Sequence, residues 1–183
     1  MSIKSFFSKI FGKTEERTIE EPLDIAPQRS ETEVLVEGIK DNVDKINDFF
    51  DNPQKYEGAR FNALETKAIY EIYKKMLKAF KVTNSYTNVG FRNVDEYYEL
   101  KRIIQDLINA RDIHLRNIVP EFKARVDELA MSLRYTAYEL NKNLTERRNI
   151  NEILENDSDK KKFFEYSIRF KEATEVIRKR LFG

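Results

Sequence analysis

The sequence has no cysteine and a single histidine among its 183 residues. Disulfides, thiol catalysis and thiolate metal sites are therefore excluded, and so is every site that needs two or more histidines. Glycine is scarce, with five scattered copies at Gly12, Gly38, Gly58, Gly90 and Gly183. None of them forms a phosphate-cradling loop, a dinucleotide fingerprint or a nucleophile elbow. Four prolines leave long stretches uninterrupted. No apolar run approaches the ~18 residues of a membrane-spanning helix, and Lys4 and Lys9 interrupt the first apolar stretch, unlike a signal peptide. The expected location is a cytoplasm, with incorporation into a virion or attachment at the inner membrane surface as further options. Net charge is +1, which argues against a dedicated nucleic-acid binder with its basic excess.

What is present is charge of both signs, 36% of the chain, beside 40% hydrophobic residues. That balance fits a helical protein with a heavily solvated surface. The charge is uneven at the N-terminus. Residues 1–13 carry Lys4, Lys9 and Lys13 without an acid, whereas residues 14–33 carry seven acids against Arg17 and Arg29.

Apolar spacing predicts an all-α fold, an antiparallel bundle of four to five long helices preceded by an amphipathic arm. The arm is residues 1–12, where Ile3, Phe6, Phe7, Ile10 and Phe11 fall on one face of a short helix that stops at Gly12. Residues 13–31, with Pro22, Pro27 and most of the acids, read as an extended acidic linker. The bundle domain is 32–183. Its first helix is expected over 32–50, with Leu35, Ile39, Val43, Ile46 and Phe50 inward, ended by Asn52-Pro53. A second is expected over 59–82, followed by an interruption from Asn84 to Asn93 with room for an extended pair around Val89. Asn93, with Glu96 in capping-box position, opens a third helix that runs to about Asn117. Pro120 sits in the first turn of a fourth, carrying Phe122, Val126, Leu129, Leu133, Ala137, Leu140 and Leu144. Residues 145–156 either continue it or form a separate short helix around Ile150, Ile153 and Leu154. The last helix is expected over 159–182.

Chemistry-bearing constellations are few. A ferritin-like di-iron bundle needs two Glu-x-x-His motifs, and none exists. His114 reads as an ordinary helix residue. Carboxylates such as Asp127 and Glu128, and the i,i+4 pair Glu71–Lys75, read as solvated helix faces. Seven helical tyrosines (Tyr70, Tyr73, Tyr97, Tyr98, Tyr135, Tyr138 and Tyr166) read as boundary residues, ring buried and hydroxyl wet. Lys160-Lys161-Lys162 is expected at a helix N-terminus, where cations oppose the helix dipole.

The arm is the most informative feature. Five large apolar residues on so short a segment demand a covering surface. Three partners compete: a neighbouring subunit or other protein, an anionic membrane, and the chain's own bundle. The reading adopted is a non-enzymatic structural or assembly protein without cofactor, metal or small-molecule substrate. Its bundle is a spacer, and Ile3, Lys4, Phe6, Phe7, Lys9, Ile10 and Phe11 dock on copies of itself or a neighbouring structural protein. Arg178, Arg180, Leu181 and Phe182 are candidate C-terminal contacts. In architecture such a chain resembles the ring-forming connectors of tailed-phage particles, and a connector-type phage component is one role expected from that fold-level analogy. The alternative is a peripheral membrane adaptor held by the same arm.

Overall fold

The computed structural model describes residues 29–56 and 62–183, and the arm and most of the acidic linker lie outside them. Every regular element among the described residues is helical. The first, α1 (Glu31–Asp51), starts on a complete capping box: Ser30 Oγ accepts from the Glu33 N–H and the Glu33 carboxylate accepts from the Ser30 N–H. Its buried stripe is Val36, Ile39, Val43, Ile46 and Phe49, so Leu35 and Phe50, expected inward, pack at the edge of the core. A 3-10 turn follows at Pro53–Tyr56. Asp48 anchors it by accepting from Lys55, Tyr56 and Asn52.

The next helix, α2 (Ala63–Val89), opens on Asn62, whose side chain accepts from the Leu64 and Glu65 N–H groups. It runs straight through the expected interruption, and neither a loop at 84–89 nor an extended pair around Val89 exists. The segment Thr83–Asn88 is rich in residues that favour turns, yet it is held helical by its surroundings. Ser85, Thr87 and Asn88 return hydrogen bonds to carbonyls three or four residues back. Thr83, Asn84 and Thr87 face the core. Tertiary partners thus outweigh local propensity. The stop is Gly90, at φ 73°, a left-handed value that costs glycine nothing.

Only three further residues separate Gly90 from α3 (Val94–Ile113), capped by Asn93. The Glu96 carboxylate accepts from the N–H of Arg92, one residue before the cap, and pairs with the Arg92 guanidinium. After a 3-10 turn at Leu115–Asn117, α4 (Pro120–Glu146) begins with its proline in the first turn. Phe122, Val126, Leu129, Leu133, Ala137 and Leu140 are buried as expected, with Leu144 at the edge.

Residues beyond α4 form a separate short helix, α5 (Ile150–Ile153), then α6 (Asp157–Phe163) and α7 (Glu165–Phe182). The single last helix expected from the sequence is broken at Phe164. The Ser167 N–H bonds to the Phe164 carbonyl, and the Phe163 carbonyl accepts instead from Thr136 Oγ1 at 2.7 Å. This break relocates the lysine run. Lys160, Lys161 and Lys162 occupy the last turn of α6, where their charge suits the helix dipole, with Asp157 and Asp159 at its start.

Four long helices, α2, α3, α4 and α7, alternate in direction around one core. Cross-links in opposite residue order fix this: Arg134 with Gln105 and Arg111 with Asp127 between α3 and α4, and Arg125 with Glu172 and Thr136 with Phe163 along α4. Between α2 and α7, Phe80 stacks on Phe170 with centroids 4.1 Å apart, and Arg180 grips Glu65. The outlier is α1, which runs parallel to α7. Asn42 donates to Thr174 and accepts from Arg178, and further along both helices Phe49 meets Phe182 edge-on. The bundle is antiparallel in its central four helices and carries a fifth in parallel on one side.

Candidate functional site

The two ends of the bundle differ in chemistry. At one end α1 and α7 finish and α2 begins. Here the rings of Tyr70, Phe50, Phe49, Tyr56 and Phe182 form a chain with successive centroids 4.7–5.6 Å apart. All four candidate C-terminal contact residues sit at this end. Within this chain Arg178 bonds Asp41 and Asn42, Arg180 forms a two-pronged pair with Glu65, and Leu181 is buried. Phe182 keeps 41% of its surface exposed and is the one large apolar side chain of the four that faces outward.

At the other end α2 and α4 finish and α7 begins, and the interior turns polar. Tyr166 is fully buried, and its hydroxyl donates to Asn84 Oδ1 at 2.6 Å. The Thr87 hydroxyl also interacts with it, and Ser167 Oγ bears on it without reaching hydrogen-bond geometry. Burial pushes the Tyr166 phenol well above its ordinary pKa, so it stays a neutral donor. Thr83 Oγ1, Asn84 Nδ2, Asn88 Oδ1 and Asn143 Nδ2 are buried at this end without a partner. Native interiors leave few such groups. Two of the seven tyrosines therefore depart from the wet-hydroxyl expectation: Tyr166, and Tyr73, whose buried hydroxyl donates to Asn47 at 3.0 Å. Tyr98 and Tyr138 stay largely exposed.

Beyond this polar layer a cleft of about 370 Å³ opens between the α2–α3 turn and the end of α4. Phe91 and Leu140 form its floor, with Val89, Leu144 and Ile150 around them. Arg147 and Arg148 stand at its rim, and Asn143, buried and with an unpartnered amide nitrogen, forms part of the wall. The geometry has a local cause. The Arg148 N–H bonds to the Asn143 carbonyl and the Arg147 N–H to that of Leu144, the hydrogen-bond pattern of a Schellman cap. Glycine normally fills the left-handed position of that motif, but here Arg147 adopts it at φ 55°. Among the described residues it is the one non-glycine with positive φ. Arg148 pairs with Glu146 at 2.6 Å, while both arginines remain exposed.

Such a cleft combines an apolar floor with two cations and an idle amide donor. It suits a partner that brings large apolar side chains together with acceptor groups or negative charge. Nothing in the sequence pattern marks Arg147 as left-handed. A visible signal was Asn143, a polar residue at a core position between Leu140 and Leu144.

The arm residues Ile3, Lys4, Phe6, Phe7, Lys9, Ile10 and Phe11 lie outside the described residues. His114 caps the end of α3, half-buried and away from the cleft. Among the described residues no cluster of His, Asp and Glu has the makings of a metal site, and no helix is long and apolar enough to cross a membrane. Comparison with protein-family models, curated proteins and solved structures finds no match to the chain.

Proposed function

We propose that this chain is a non-enzymatic assembly protein. Its bundle acts as a rigid spacer, and its N-terminal arm docks on neighbouring copies. The observation that supports the reading is an apolar arm sequence beside a bundle whose described helices already share one core. The helices of residues 29–183 bury a continuous core in which Ile39, Ile72, Phe80, Leu100, Leu129 and Phe170 are wholly inaccessible. We read the five apolar residues of the arm as a docking stripe for a neighbour, and their tether carries charge opposite to the cleft's arginines. One-way docking of each arm on the next copy is a head-to-tail contact, and such contacts close into rings when the rotation permits. A ring of copies, as in a connector-type phage component, is the assembly expected from this reading.

Sedimentation velocity on the full chain tests it. Wild type is expected to sediment as a discrete oligomer, and the Phe6→Ser/Phe7→Ser variant as a monomer that melts at the wild-type temperature. A monomeric wild type at all concentrations contradicts the reading.

Attachment to an anionic membrane surface through the same arm is the second reading. It is favoured by Lys4, Lys9 and Lys13, which join the apolar stripe to a segment without acids. Flotation of the full chain with vesicles of mixed phosphatidylcholine and phosphatidylserine, lost in the double Phe variant, is the outcome that reading requires.

A further inference from the structure

We infer that the cleft under Arg147 and Arg148 is the receptor for the N-terminal arm, residues 3–11, of a second copy of this chain. The inference rests on the assembly reading above and assigns it a site. Its first support is chemical fit. The arm's stripe of Ile and Phe matches a floor of Phe91 and Leu140 with Val89, Leu144 and Ile150 around it. At 370 Å³ the cleft takes part of the stripe, with the remainder lying across the exposed Val89.

The second support is polarity. The spacing of the arm predicts a helix that ends at Gly12, and the last carbonyls of any helix lack intrahelical donors. Arg147 and Arg148 line the cleft, Arg148 paired with Glu146, and the Asn143 amide nitrogen, buried in its wall, has no partner. Cations beside a helix C-terminus are favourable, so the Gly12 end of the arm points toward the arginines. The residues that follow are Glu15 and Glu16, the first of five acids against one arginine in 14–28. In helical spacing Lys4 borders the stripe beside Phe7 and Phe11 and Lys9 falls outside it, and both precede the Gly12 end.

The third support is position. Because α1 runs parallel to α7, the described chain begins at Arg29 at the same end of the bundle as the cleft. The sixteen residues 13–28 span up to about 50 Å when extended, enough to carry the arm to a neighbour whose cleft faces that end.

Photocrosslinking tests the site directly, with Phe7 of the full chain replaced by p-benzoylphenylalanine and isotope-labelled copies mixed with unlabelled ones. The expected crosslinks join position 7 to peptides containing Phe91, Leu140 or Leu144, between labelled and unlabelled copies. Crosslinks between copies that map to another part of the bundle overturn the cleft and leave the assembly reading standing. Crosslinks confined to one copy, or no protein crosslink at all, overturn both. In parallel, Arg147→Glu/Arg148→Glu is expected to weaken self-association at least tenfold, with recovery on adding Glu15→Arg/Glu16→Arg. Unchanged association in the arginine variant removes their assigned role and the site with it.

Discussion

The Tyr166 hydroxyl meets Asn84 Oδ1 at 2.6 Å, joining residues 82 positions apart where α7 begins and α2 nears its end. This bond explains why a stretch as polar as Thr83-Asn-Ser-Tyr-Thr-Asn88 stays helical in the core. It also leaves the Asn84 amide nitrogen idle, so the pair is poorly buffered against loss of either member. Tyr166→Phe, which keeps the ring but strips the donor, is expected to cost about 1–2 kcal/mol of stability. Urea unfolding followed by circular dichroism reads this as a lower midpoint with an unchanged slope.

Burial raises the pKa of both Tyr73 and Tyr166 in the folded chain, with Asp44 and Asp51 adding to the shift at Tyr73. The folded state therefore holds these protons to higher pH than the unfolded state, in which tyrosine titrates near pH ~10. Stability from the two groups is complete below that pH and is lost as pH rises above it. Each contributes a slope of about 1.4 kcal/mol per pH unit. Thermal melts between pH 9 and about 12 are expected to fall more steeply for wild type than for Tyr73→Phe/Tyr166→Phe. Parallel curves refute the assignment.

Arg147 holds a left-handed backbone that suits glycine, a conformation costing a side-chain-bearing residue roughly 1 kcal/mol. Arg147→Gly is expected to raise stability by about that amount while weakening self-association, because the same change removes a rim cation. A variant that melts higher and assembles less well fits strain retained for binding. One that melts higher and assembles as wild type means that the arginine is incidental.

The sequence was most legible where periodicity was strong and uninterrupted. The register from Phe122 to Leu140 predicts the buried face of α4, and Asn93 and Pro120 mark two helix starts within a residue. It misled where tertiary contacts override local signals. Asn84–Val89 reads as a loop, but Thr87 and Asn88 bond back to their own helix and Asn84 Oδ1 accepts from Tyr166. The break at Phe164 depends on Thr136, a residue 27 positions before the carbonyl it caps, and no local rule anticipates it. Of the proposed site, the arm is legible as a run of Phe and Ile, and it lies outside the described residues. The cleft is not legible, because it arises where the ends of α2 and α4 come together around a left-handed arginine.

Complementation between two defective chains tests the central claim most directly. The Phe6→Ser/Phe7→Ser chain lacks a competent arm but keeps its cleft, and the Arg147→Glu/Arg148→Glu chain lacks the cleft's cations but keeps its arm. The account predicts that each sediments alone as a monomer and that an equimolar mixture forms a dimer of one copy of each. A mixture that remains monomeric where wild type associates contradicts the meeting of arm and cleft.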